Sequence, residues 1–195
     1  SNQDHYKNGK RYIPSAGYHT DHSNDPTPPK ATVLLAKQLP ETGGDTQFVN
    51  MSRAYEDLPL DIKKRIDERK AKHVYQSKFS ARKLTGLTPE AKKLVPDFVM
   101  HPLVRTLPET GRKSLYFNPI RIEAIEGLEE AETIKLLDAL IDHGTQTKYQ
   151  YRHQWRLNDL VMWDNRCLLH KANGDYDHSR TRYLYRVMLH GDAPY

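Results

Sequence analysis

Tyr18-His19-Thr20-Asp21 and, far along the chain, Trp163-Asp164-Asn165-Arg166-Cys167-Leu168-Leu169-His170 are the stretches on which the reading turns. In an extended segment side chains alternate, so His19 and Asp21 point one way and Thr20 the other. That is a short two-ligand clamp. A third ligand must come from a distant strand folded alongside, and His170 is the candidate. Two imidazoles and one carboxylate leave half of an octahedral Fe(II) open, the arrangement that oxygen chemistry at non-haem iron requires. Catalytic zinc also accepts two His and a carboxylate, and a zinc hydrolase stays open at this point.

Working outward, Ala31–Lys37 and Thr46–Met51 read as strands on either side of the turn Pro40-Glu41-Thr42-Gly43-Gly44-Asp45. Short helices are expected over Ser52–Tyr55 and, longer, over Leu60–Ala71. Val99–Thr106 and Ser114–Asn118 read as a hairpin around Pro108-Glu109-Thr110-Gly111. The clearest helix spans Glu129–His143. Its apolar stripe is Leu128, Ala131, Ile134, Leu137, Leu140 and Ile141, with Gly144 at the C′ position. Three more strands follow, Lys148–Trp155, Asp159–Asp164 and Arg180–Leu189. Tyr75–Pro96 mixes polar residues without periodicity and reads as a mobile lid. The fold class is therefore mainly β with flanking helices, a double-sheet β-sandwich or jelly roll, with residues 1–195 forming a single domain.

Composition narrows the function classes. The chain carries Lys+Arg 30 against Asp+Glu 25, net +5, but the basic residues are scattered or interleaved with acids. That argues against a nucleic-acid partner. No apolar run reaches membrane-spanning length. The single cysteine, Cys167, reads as a buried strand residue in a reducing, cytoplasmic setting. A homo-oligomer is compatible with this surface.

A second His-x-Asp, His190-Gly191-Asp192, lies at the C-terminal end and reads as a turn. Arg182 and Arg186 are spaced for one face of a strand, about 13 Å apart along it. One anion does not readily span that gap, so two anions approaching one metal are the functional reading, and two exposed arginines on an edge strand are the alternative. The planar guanidinium fork suits carboxylates, and zinc gives no reason for such a pair.

Taken together these residues resemble the Fe(II)/2-oxoglutarate-dependent dioxygenases of the TauD/TfdA family. The resemblance runs through His19-Thr20-Asp21, Gly43-Gly44-Asp45-Thr46, His101-Pro102-Leu103-Val104-Arg105-Thr106, Trp163-Asp164-Asn165-Arg166, His170, Arg182 and Arg186. It implies a double-stranded β-helix and His19, Asp21 and His170 as iron ligands. It implies that Thr46 and Arg182 hold the far carboxylate of the co-substrate 2-oxoglutarate, with Trp163 packing nearby. Arg186 matches the position that binds a substrate anion, and Phe79 falls near the substrate-lining segment. The implied reaction consumes O2 and 2-oxoglutarate, hydroxylates a small organic anion, and yields succinate and CO2. An aryloxyalkanoate-like substrate is favoured, and a taurine-like alkylsulfonate, releasing sulfite, is the alternative. A non-catalytic jelly-roll binding module is the remaining class. Family members usually carry a further N-terminal portion, so the resemblance implies that the N-terminal part of the usual domain is absent here.

Overall fold

A computed structural model of the chain describes residues 5–7, 10–12, 17–79, 84 and 86–195. In order, the elements are β1 (His5–Lys7), β2 (Lys10–Tyr12), β3 (Ala31–Gln38), β4 (Thr46–Asn50), α1 (Met51–Glu56), α2 (Leu60–Ile66) and β5 (Lys70–His73). Then come α3 (Pro89–Leu94), β6 (Val99–Pro102), β7 (Val104–Thr106), β8 (Lys113–Leu115), β9 (Ile122–Ile125) and α4 (Glu130–Gly144). A 3-10 turn (Thr147–Tyr149) leads into β10 (Gln150–His153), β11 (Leu160–Asp164), β12 (Leu168–Ala172) and β13 (Tyr183–Leu189).

Two three-stranded antiparallel sheets face each other as a jelly roll, one in the order β10-β4-β12 and the other β11-β3-β13. Period-two alternation sorts β4. Thr46 and Phe48 point between the sheets, where Phe48 meets Trp163 of the opposite sheet at 5.3 Å between ring centroids. Val49 points the other way and joins Leu169, Met51, Ala54, Leu136, Leu137 and Leu140 in a core between that sheet and helices α1 and α4. Burying each such leucine contributes roughly 1.5–3 kcal/mol. A third sheet, β6-β5-β9, stands outside the pair.

Several boundaries differ from the sequence reading for visible reasons. The helix expected to reach Ala71 stops at Ile66, and Lys70–His73 become a strand held between β6 and β9. Ala71 and His73 are buried on one face there, a period-two pattern that outweighs the helical charge spacing. The stretch Val99–Thr106 breaks at Leu103, which is fully buried, so that β6 pairs with β5 while β7 pairs with β8. Helix α4 buries Thr133, Leu136, Leu137, Leu140 and Gly144, whereas Ala131 and Ile134 face solvent. Its cap is Thr145, and Gly144 lies within the helix, where a Cβ would come 3.1 Å from the Met51 methyl. Cys167 is not in a strand but in the turn between β11 and β12, and burial pushes its thiol up to about 11.

The lid expected over residues 75–96 falls partly on residues 80–83 and 85, which lie outside the described residues. Within the described part, Pro89–Leu94 form a helix, with the Thr88 hydroxyl accepting from the Ala91 amide. Among the described residues no helix is long and apolar enough to cross a membrane.

Candidate metal centre

The two histidines are brought together by backbone. His19 and His170 form an isolated antiparallel bridge, with the His19 amide donating to His170 O (3.0 Å) and the His170 amide to His19 O (2.8 Å). Residues directly opposite in an antiparallel pair share a face, and the imidazole centroids stand 4.3 Å apart. Asp21, two residues on, reaches the same point. Its Oδ1 lies 3.9 Å from His19 Nε2 and 3.7 Å from His170 Nε2. Among the described residues these three are the one His/Cys/Asp/Glu group able to hold a metal, one ligand atom from each lying within 4.8 Å of the others.

The protonation states suit a metal. His19 Nδ1 is 2.7 Å from Gly17 O, so it donates there and leaves the Nε2 lone pair toward Asp21. Burial pushes the His170 imidazole below its usual range, so it is neutral near pH 7. Burial would raise the Asp21 carboxyl, but the neighbouring His170 and His19 and the Thr32 hydroxyl outweigh this and hold it below the usual carboxylate range. Two imidazole nitrogens and one carboxylate oxygen, with spacings too long for hydrogen bonds to one another, are a donor set that fits Fe(II).

Around this cluster lies a hydrogen-bonded set of residues, of which the sequence reading had assigned a role only to Trp163. Thr32 Oγ1 donates to Asp21 Oδ2 at 2.6 Å, and Asn165 Nδ2 donates to Thr32 Oγ1 at 2.8 Å. Trp163 Nε1 donates to Asn165 Oδ1 at 2.9 Å. Thr20 Oγ1 donates to Asn165 O at 2.7 Å, tying the clamp to the same residue. The Trp163 ring also packs against His170, 4.6 Å between centroids. Asn165 was visible in the Trp163–Arg166 motif; Thr32 looked like one more strand residue.

Arg182 packs on the Gly43–Gly44 turn that leads into Thr46. Both glycines adopt positive φ (+72° and +71°), and a Cβ on Gly44 would lie 3.1 Å from Arg182 Cδ. Arg182 is buried, and its Nε donates to Gly44 O at 2.7 Å. The buried Thr46 hydroxyl accepts from Trp155 Nε1 at 3.0 Å, a contact the sequence did not signal. Its own proton is therefore available to an acceptor elsewhere. Arg182 precedes β13 and is separated from Arg186 by a register irregularity at Tyr183/Leu184. Arg186 pairs with Leu34 in the sheet and is exposed, yet its charge is felt by both Asp21 and His170. Phe79 is half-buried, its amide donating to Ser77 Oγ at 3.1 Å.

The model of the "Taurine catabolism dioxygenase TauD, TfdA family" matches residues 1–188. The chain belongs to the TauD/TfdA family. It is 39% identical over 178 residues to an alpha-ketoglutarate-dependent 2,4-dichlorophenoxyacetate dioxygenase of Cupriavidus pinatubonensis, covering 90% of this chain and 60% of that protein. It is 38% identical over 183 residues to an (S)-phenoxypropionate/alpha-ketoglutarate-dioxygenase of Sphingobium herbicidovorans, covering 90% of this chain and 62% of that one. A crystal structure of AAD-2 in complex with Mn(II) and N-oxalylglycine superposes with a TM-score of 0.83 at 35% identity, covering 92% of this chain and 70% of the other. A taurine dioxygenase from Burkholderia xenovorans gives a TM-score of 0.78 at 33% identity, covering 94% and 60%. The chain thus spans about three fifths of the length of these curated relatives.

Proposed function

We propose that this chain carries the catalytic centre of an Fe(II)- and 2-oxoglutarate-dependent dioxygenase acting on a small organic anion. The observation that carries the reading is the convergence of His19 Nε2, Asp21 Oδ1 and His170 Nε2 on one point. His19, Asp21 and His170 would hold the iron. Bound there with 2-oxoglutarate, Fe(II) supplies O2 activation coupled to decarboxylation of the oxo acid to succinate and CO2. Arg182 and the Thr46 hydroxyl receive the far carboxylate of the co-substrate by charge-assisted and neutral donation. Phe48 and Trp163 wall the site with apolar surface that limits water. Arg186 supplies positive charge toward a substrate anion, and Phe79 would lie along the substrate segment.

Greater identity to the aryloxyalkanoate enzymes favours an aryloxyalkanoate-like substrate. The alkylsulfonate reading is supported by 34% identity to a putative alpha-ketoglutarate-dependent sulfonate dioxygenase of Schizosaccharomyces pombe. We further place the protein in the cytoplasm. The test is succinate formed from 2-oxoglutarate, with Fe(II) and air, across phenoxyacetate, 2-phenoxypropionate and taurine. Stimulation by the phenoxy acids is expected; stimulation by taurine alone would move the substrate to the sulfonates.

A further inference from the structure

Asp21 has two carboxylate oxygens, and only one of them faces the histidines. We propose that Thr32, Asn165 and Trp163 form a one-way hydrogen-bond relay that confines Asp21 to a single coordinating oxygen and so keeps a coordination position open. The inference rests on the metal-site reading above.

The direction of every bond follows from chemistry. The indole N–H of Trp163 can only donate. It therefore fixes Asn165 with Oδ1 toward Trp163, at 2.9 Å, and the amide nitrogen toward Thr32. That nitrogen donates to Thr32 Oγ1 at 2.8 Å. The Thr32 hydroxyl, having accepted, turns its own proton to Asp21 Oδ2 at 2.6 Å, the short distance of a hydrogen bond to an ionised acceptor. Asp21, Thr32, Trp163 and Asn165 are all buried, so water does not compete for these groups. Asn165 is itself anchored: its carbonyl accepts from Thr20 Oγ1 at 2.7 Å and its amide donates to Lys30 O at 2.9 Å.

The consequence concerns coordination number. A carboxylate with both oxygens free can swing to chelate a metal through both. With two histidines, a chelating Asp21 would leave two octahedral positions instead of three. An oxo acid binding through two oxygens, followed by O2, needs three. Donation to Oδ2 draws that oxygen away and leaves Oδ1 as the ligand. Thr32, Asn165 and Trp163 are thus positioning residues, acting through Asp21 without touching the metal themselves.

The test uses the full chain and Co(II), whose visible absorption reports coordination geometry without turnover. Thr32→Val keeps the shape and deletes the hydroxyl; Thr32→Ser restores it. Asn165→Asp replaces the donating amide with an acceptor and reverses the relay. Trp163→Phe removes only its far end. Thr32→Val and Asn165→Asp should weaken Co(II) binding by about ten- to a hundredfold and change the Co(II) spectrum. Thr32→Ser should return both to the parent values, and Trp163→Phe should give a smaller loss. Asp21→Ala in the same titration reports on the metal site itself: if it binds Co(II) like the parent, the metal-site reading fails. If Asp21→Ala loses Co(II) while Thr32→Val and Asn165→Asp keep the parent affinity and spectrum, the relay is overturned. Melting of the metal-free proteins identifies any variant that does not fold, and the remaining variants then carry the comparison.

Discussion

The chain contains two His-x-Asp segments with opposite fates. His19-Thr20-Asp21 lies beside β12, where a backbone bridge brings His170 next to His19 and Thr32 takes the second oxygen of Asp21. His190-Gly191-Asp192 follows the end of β13, where His190 and Asp192 are exposed. Its middle residue matters instead. A Cβ on Gly191 would sit 1.9 Å from Pro28 O and 2.7 Å from Lys30 N, so the glycine lets two backbones pack together. The tripeptide is the same length and the same ligand chemistry in both places. What suits the first to the proposed role of metal clamp is His170, held alongside by main-chain hydrogen bonds, and a polar partner that takes the second carboxylate oxygen.

The largest expected effects test that contrast head on. His19→Ala, Asp21→Ala and His170→Ala should each remove Fe(II) or Co(II) binding and all turnover, while His190→Ala and Asp192→Ala leave metal affinity at the parent level. Equal damage from the two sets, measured by metal titration, would erase the distinction.

Next in size are the arginines. On the proposed reading, Arg182→Gln removes a charge-assisted partner for the co-substrate, an interaction of roughly 1.5–3 kcal/mol. Its KM for 2-oxoglutarate should rise by about one to two orders of magnitude. Arg186→Gln should leave that KM nearly unchanged and weaken binding of the anionic substrate. Kinetics with each ligand varied separately decide the matter, and a crossed result would exchange the two roles.

A stability effect separates the second segment from the first. Gly191→Ala forces the C-terminal segment away from Pro28–Lys30 and should cost about 1–3 kcal/mol, the usual range for overpacking. It should lower the Tm without altering Co(II) affinity in the folded protein. Loss of metal affinity at full stability would tie the second segment to the site after all.

The jelly roll was legible in the sequence because β3, β4, β10, β11 and β13 each show strand-sized apolar or alternating runs bounded by turns. The meeting of His19 and Asp21 was legible because period two puts their side chains on one face. Strand β12 carries His170 but is too short and too close to the Asn165–Cys167 turn to stand out by pattern. Thr32, Asn165 and Trp155 escaped assignment because their roles depend on partners far along the chain: Asn165 with Thr32, and Trp155 with Thr46. The stripe of α4 was misplaced by about one residue because Thr133, a polar residue, is buried while Ile134 is exposed.

A smaller effect involves a histidine that is buried yet far from being a ligand. His73 is fully buried against His101 and Tyr116, with Nδ1 3.0 Å from Ser23 Oγ, and burial holds its pKa well below the ordinary value. The unfolded chain therefore binds a proton there that the folded chain refuses. Stability from this group is complete above about pH 6.5 and declines as pH falls below it, by at most about 1.4 kcal/mol per pH unit. Melting metal-free protein at pH 7.5 and 5.5 should show the decline, and His73→Phe should flatten it. An unchanged slope in the variant would assign the acid sensitivity to other groups.

The most direct measurement is anaerobic titration of the metal-free chain with Fe(II) in the presence of 2-oxoglutarate, followed by the visible charge-transfer absorption of an oxo acid chelated to Fe(II). The account predicts a band that saturates at one iron per chain and is absent in Asp21→Ala, with His190→Ala indistinguishable from the parent. A folded chain that gives no band, or a band that survives Asp21→Ala, would contradict it.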